Sequence, residues 1–324
     1  MTDQGKIDRA GARPASLFER ADAAFGLGTV NAGPKLPPVP PVPQAPRRAA
    51  APAPASPPAM DQVAAAPSAP PAATAEPPLA PAFRGPSASI ERDVLRQGGL
   101  LVPEDPVTGL LEEFRIVKRE LLADARASAS PLARRILVSS PHPGEGKTYC
   151  ATNLAIALAA ERDLEVLLID ADVVRPSVTE RLGIEAEQGL MDALADATIA
   201  PESLVIRTDI DGLFVMPAGT ATVRDAELLA SARTAALLDR LTQGAPDRIL
   251  IFDTPPALAA SPAAELAQHV GQTVLVVRAD ETARAALEDA QQLLSACGDI
   301  KLLLNAARYS PSGRRFGSYG ARGK

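Results

Sequence analysis

The stretch Ser139-Ser140-Pro141-His142-Pro143-Gly144-Glu145-Gly146-Lys147-Thr148 gathers two glycines, a lysine and a hydroxyl within a few residues. That combination suits a phosphate chain. Glycines let the backbone turn tightly so that its N–H groups converge on an anion, the lysine reaches the outer phosphate oxygens, and the adjacent hydroxyl meets a bridging Mg²⁺. The flanks agree, since Arg135-Ile136-Leu137-Val138 reads as a buried strand and an Ala/Leu-rich helical pattern follows Thr148. A phosphate-binding loop in this context implies a nucleoside triphosphate with Mg²⁺. Pro141 stands where the strict pattern has glycine. The contacting residues are Gly144, Glu145, Gly146, Lys147, Thr148 and Tyr149, with Tyr149 read as a helix residue packing on the sheet.

Two apolar runs downstream end in carboxylates. Leu167-Leu168-Ile169-Asp170-Ala171-Asp172 places aspartates two apart, so that on a strand both side chains leave the same face. Ile249-Leu250-Ile251-Phe252-Asp253-Thr254-Pro255-Pro256 ends in one aspartate before a rigid turn. Phosphoryl transfer supplies roles for all of them. Lys147 neutralises phosphate charge, Thr148 and Asp253 hold Mg²⁺ with Asp170 as a further candidate ligand, and Asp170 or Asp172 orients or deprotonates the attacking hydroxyl or water. Arg175 is placed to pair with phosphate or with a neighbouring carboxylate.

Positioning these groups calls for strands alternating with helices. Strands are expected at 136–139, 166–170, 213–217, 249–253, 273–277 and 301–305, and helices at 147–161, near 179–182 and 190–195, and at 235–242, 263–269 and 283–296. An amphipathic helix at 108–122 leads into the first strand. This is an α/β fold of the P-loop NTPase type, a mostly parallel sheet with helices on both faces, and its ligands bind at the carboxyl ends of the strands.

The 324-residue chain overstates its core, because residues 33–86 hold 18 of the 32 prolines among Ala, Ser and Val without apolar periodicity. Such a segment cannot bury enough surface to offset its ordering entropy, so residues 33–102 are expected to form a disordered Pro/Ala-rich tether. Before it, residues 1–32 carry a possible short docking helix at 15–25. The domain spans 103–308, and a flexible tail occupies 309–324. A net charge of −6 argues against nucleic acid as the main partner. The N-terminus lacks the apolar core of a signal peptide and no run of 18 apolar residues exists, so the protein is expected in the cytoplasm. Two cysteines, Cys150 and Cys297, and two histidines, His142 and His269, are too scattered for a zinc site or a disulfide framework.

Together, Pro143-Gly144-Glu145-Gly146-Lys147-Thr148, Leu168-Ile169-Asp170-Ala171-Asp172-Val173-Val174-Arg175-Pro176 and Ile251-Phe252-Asp253-Thr254-Pro255-Pro256 resemble the Walker A, A′ and B motifs of bacterial tyrosine kinases. These are the autokinases of polysaccharide assembly, within the P-loop ATPases that include the chromosome-partitioning proteins. The likeness continues through Met216-Pro217-Ala218-Gly219, Glu227-Leu228-Leu229 and Leu302-Leu303-Leu304-Asn305, and is greatest to the exosortase-associated subgroup.

The resemblance implies an ATP-dependent protein-tyrosine autokinase regulating exopolysaccharide or capsule production and export. It further implies activation at the inner membrane by a chain-length determinant protein, and a homo-oligomeric ring in which a tyrosine-bearing tail enters the neighbour's site. By the same resemblance Asn305 lies near the adenine base. Glu112, Arg115 and Lys118 match the helix that packs subunits together, with Lys118 in place of an arginine. The tail holds only Tyr309 and Tyr319 as candidate acceptors, not a dense cluster. Two other readings are an ATPase switch that binds a membrane partner without phosphorylating tyrosine, and an assembly adaptor with a structural nucleotide. Partitioning-type ATPases carry an early second lysine in the loop where this chain has His142.

Overall fold

Strands buried on both faces leave a continuous apolar signature, and here the central strands feed two separate cores. In β2 (Arg135–Ser139), Ile136 and Val138 join one core while Leu137 joins the other. β3 (Glu165–Asp170) and β6 (Arg248–Asp253) alternate in the same way, with Leu168 and Ile251 on the first side and Leu167 and Phe252 on the second. The computed structural model describes residues 81–307. Tyr309, Tyr319, the 15–25 segment and residues 33–80 of the expected tether lie outside them.

Eight strands form one sheet in the order β1-β4-β5-β3-β6-β2-β7-β8, the others being β1 (Ser87–Ala88), β4 (Ile206–Thr208), β5 (Leu213–Met216), β7 (Gln272–Arg278) and β8 (Ile300–Asn305). All neighbouring pairs are parallel except β4 with β5. The helices are α1 (Arg92–Gln97), α2 (Gly109–Ala127), α3 (Lys147–Ala159), α4 (Val178–Leu182), α5 (Leu190–Ala195), α6 (Asp225–Leu229), α7 (Ala232–Thr242), α8 (Pro262–Ala267) and α9 (Arg284–Leu293). Thr108 caps α2 by accepting the Leu111 N–H, and Phe114, Val117 and Leu121 form its buried face. α3 is buried almost all round, which its Ala-rich, weakly amphipathic sequence permits.

Residues 81–102 correct the expected tether boundary. They fold onto the domain: Ile90, Leu95, Leu100, Leu101 and Val102 enter the core, and Phe83 packs against the Phe214 ring, 4.8 Å between centroids, beneath the Arg248 guanidinium. Pro/Ala composition concealed a short run of apolar anchors. β1, α1, β4 and α6 are elements beyond those expected from the sequence.

Register explains how the acidic strand ends meet. β6 lies between β2 and β3, and Asp253 is the register partner of both Val138 and Asp170. The loop after β2 and both carboxylate-bearing strands therefore open at one end of the sheet, as expected for a doubly wound fold.

Candidate nucleotide-binding site

The loop after β2 is held by its own hydroxyls. Ser139 Oγ donates to the Pro255 carbonyl at 2.9 Å, and Ser140 Oγ to the His142 carbonyl at 2.8 Å. Gly144 and Gly146 have φ of 83° and 97°, where L side chains are strained. Gly146 is also confined by space, since a Cβ there would stand 2.1 Å from Asn305 Nδ2. It precedes α3, whose first N–H groups face the loop.

Four predicted residues converge here. Lys147 Nζ donates to Asp172 Oδ2 at 2.6 Å and to Thr148 Oγ1 at 3.2 Å, and lies 3.7 Å from Asp253 Oδ1. Thr148 Oγ1 in turn donates to Asp253 Oδ2 at 2.7 Å. Asp253 is fully buried, and desolvation pushes its carboxyl up to about 7 against the opposing pull of Lys147 and Thr148. Its Oδ1 has no hydrogen-bond partner among the described residues. A buried, orphaned carboxylate oxygen beside a threonine hydroxyl fits Mg²⁺, which binds through few protein ligands plus phosphate oxygens and water. No cluster of three or more His, Cys, Asp or Glu able to cage a metal occurs among the described residues, so the ligand would complete the coordination.

Asp170 is differently employed. Its Oδ1 accepts the Asp172 N–H and its Oδ2 accepts those of Ser177 and Val178, so the carboxylate folds the turn that presents Asp172. Burial raises it to about 6 despite these N–H donors. Backbone amides thus engage both oxygens of Asp170, the third candidate Mg²⁺ ligand. Arg175 is exposed and donates its backbone N–H to Asp172 Oδ1 at 3.0 Å.

Three further residues singled out in the sequence have these partners in the fold. Tyr149 packs against the core shared by α3 and the sheet and turns its hydroxyl to the Gly99 carbonyl at 3.0 Å, tying α3 to the 98–101 segment. Asn305 donates from Nδ2 to the Glu145 carbonyl at 2.8 Å and accepts the Ala306 N–H on Oδ1, so its amide fastens the loop. Lys118 points inward: it is 9% exposed, donates to the Ala157 carbonyl at 2.8 Å and pairs with Glu161, capping the last turn of α3. Arg115 and Glu112 pair with each other along α2. Cys150 is buried and its thiol is pushed up to about 12 by desolvation, an inert packing residue. Sequence reasoning missed Asn153, whose Oδ1 accepts the Leu101 N–H at 2.7 Å, along with Thr282 and Arg278 against the loop. None of them sits in a recognisable motif.

The family model described as ParA, NUBPL iron-transfer P-loop NTPase, matches residues 132–304. The chain is 32% identical over 223 residues to the putative tyrosine-protein kinase EpsB of Ralstonia solanacearum, covering 68% of this chain but 28% of that protein. It is 28% identical to the tyrosine-protein kinase YwqD of Bacillus subtilis over 70% of this chain and 93% of that one. Among solved structures, the BceF tyrosine kinase domain superposes with a TM-score of 0.53 at 25% identity, covering 69% of this chain and 93% of that domain. The aligned part thus spans little more than a quarter of the length of EpsB.

Proposed function

The chain belongs to the ParA family of P-loop NTPases, and on that premise we propose that it is an ATP-dependent protein-tyrosine autokinase that regulates exopolysaccharide production and export. One observation carries the reading: a P-loop lysine held 2.6 Å from Asp172 beside the Thr148–Asp253 pair, in a chain 32% identical over 223 residues to the putative tyrosine-protein kinase EpsB. The iron-transfer part of the family description finds no support in the cysteines, since Cys150 and Cys297 are both buried and lie on α3 and after α9.

In this reading Lys147 exchanges Asp172 for the β/γ-phosphate oxygens of ATP, and the loop N–H groups take the remaining charge. Thr148 and Asp253 would hold Mg²⁺, which when bound neutralises the phosphate oxygens. Asp172, released from Lys147, accepts the proton of the tyrosine hydroxyl as that oxygen takes the γ-phosphoryl group and ADP departs. Asp170 keeps Asp172 in place. The phosphate acceptors are Tyr309 or Tyr319, on a 309–324 tail that reaches the site of a neighbouring copy in a homo-oligomeric ring. Lys118 is spent on α3, so the contact between copies falls to Glu112 and Arg115.

No helix among the described residues is long and apolar enough to cross a membrane. Membrane association would come through a chain-length determinant protein, with residues 33–80 as tether and the 15–25 segment as a docking element. The paucity of tail tyrosines favours a second reading, an ATPase switch that engages the same partner without phosphorylating tyrosine. Peptide mass spectrometry after incubation with ATP and Mg²⁺, beside a Lys147→Met control, decides between them. Phosphate on Tyr309 or Tyr319 that disappears in the control is expected; ATP turnover with unmodified tyrosines would leave the switch.

A further inference from the structure

Glu145 sits between two glycines in left-handed conformation, Gly144 and Gly146. Glycine offers little resistance to reorientation, so the residue between such pivots needs an outside hold to keep one conformation. The Glu145 side chain supplies one: Oε2 accepts the His142 N–H at 2.8 Å, and Oε1 accepts the Thr282 hydroxyl. Thr282 lies in the connection between β7 and α9, where its Oγ1 also accepts the Arg278 N–H at 2.9 Å. Arg278 reaches the Gly144 carbonyl at 3.2 Å, and Asn305 grips the Glu145 carbonyl from the end of β8. Glu145 and Thr282 are 5% and 9% exposed, which shields their charge-assisted bond from water.

A carboxylate inside a loop that receives phosphate repels its own ligand unless something fixes its direction. Here one carboxylate oxygen is held within the loop by the His142 N–H and the other from outside it, by the Thr282 hydroxyl, which belongs to no motif singled out in the sequence. We propose that Thr282 is a positioning residue for nucleotide binding, latching the Glu145 carboxylate to the β7–α9 connection and thereby holding the loop in its phosphate-receiving form. This rests on the nucleotide-binding part of the proposed function and is independent of which residue accepts the phosphoryl group.

Isothermal titration of the full chain with ATP and Mg²⁺ tests the latch, using Thr282→Val, Thr282→Ser, Glu145→Gln and the Thr282→Val/Glu145→Gln pair, each checked for folding by its melting curve. Losing the latch should weaken ATP binding about tenfold in Thr282→Val, while Thr282→Ser stays within about twofold of the unaltered chain. Adding Glu145→Gln to Thr282→Val should cost nothing further, because the misdirected charge is gone; Thr282→Ala carries the same expectations should the valine variant not fold. Unchanged affinity in Thr282→Val, a folded Thr282→Ser as weak as the valine variant, or losses that multiply in the pair would each overturn the latch. Failure of the unaltered chain to bind ATP would overturn both proposals, whereas tight binding with unphosphorylated tyrosines would overturn the autokinase alone.

Discussion

Asp253→Asn isolates the electrostatic tension of the site. Asp253 is fully buried, and its carboxyl lies near 7 in the metal-free fold against an ordinary 3.8, with desolvation the largest cause. Because the folded value is raised, the native state binds more protons than the unfolded chain between about pH 4 and pH 7. Stability therefore falls as pH rises through that window and levels off above it. At about 1.4 kcal/mol per pH unit, ionising Asp253 costs the metal-free fold about 4 kcal/mol at pH 8, and about 3 kcal/mol of that accrues above pH 5. Asparagine keeps an acceptor for Thr148 and removes the charge. Urea unfolding in EDTA without nucleotide, at pH 5 and pH 8, should show Asp253→Asn more stable than the unaltered chain, with a gain about 3 kcal/mol larger at pH 8. The comparison of gains cancels any effect of the amide that does not depend on pH. A gain equal at both pH values, or none at pH 8, would refute the claim that the desolvation of Asp253 outweighs its pairing with Lys147 and Thr148. The same variant should lose Mg²⁺-dependent nucleotide binding, trading function for stability.

Two further outcomes are expected. Lys118→Met should lose the cap on the Ala157 carbonyl and the Glu161 pair, lowering stability by about 1–3 kcal/mol in urea unfolding, with the oligomeric state by light scattering unchanged; dissociation without destabilisation would return Lys118 to a subunit contact. A chain beginning at residue 81 should melt cooperatively, whereas one beginning at residue 103 sheds Phe83, Ile90, Leu95, Leu100 and Leu101 from the core and should melt at a markedly lower temperature or aggregate; equal melting curves would show that the 81–102 segment is dispensable.

The α/β class is legible in the chain alone, as are the candidate phosphate-binding loop and the lysine, threonine and three aspartates proposed to serve it. Each is a local signal: glycines that permit a turn, or a hydrophobic run that must be buried and ends in a charge. Tertiary structure decided how those local pieces divide the work. Only the insertion of β6 between β2 and β3 sets Asp253 beside both Val138 and Asp170, and no pattern within a strand encodes its neighbours. Two aspartates alike in sequence separate in the fold, Asp170 bonded to backbone amides and Asp172 to Lys147. Lys118 turned inward because the α3 carbonyl it caps lies 39 residues further along the chain. Thr282 joins the loop across 137 residues, so its hydroxyl had no reason to stand out until packing brought it to Glu145.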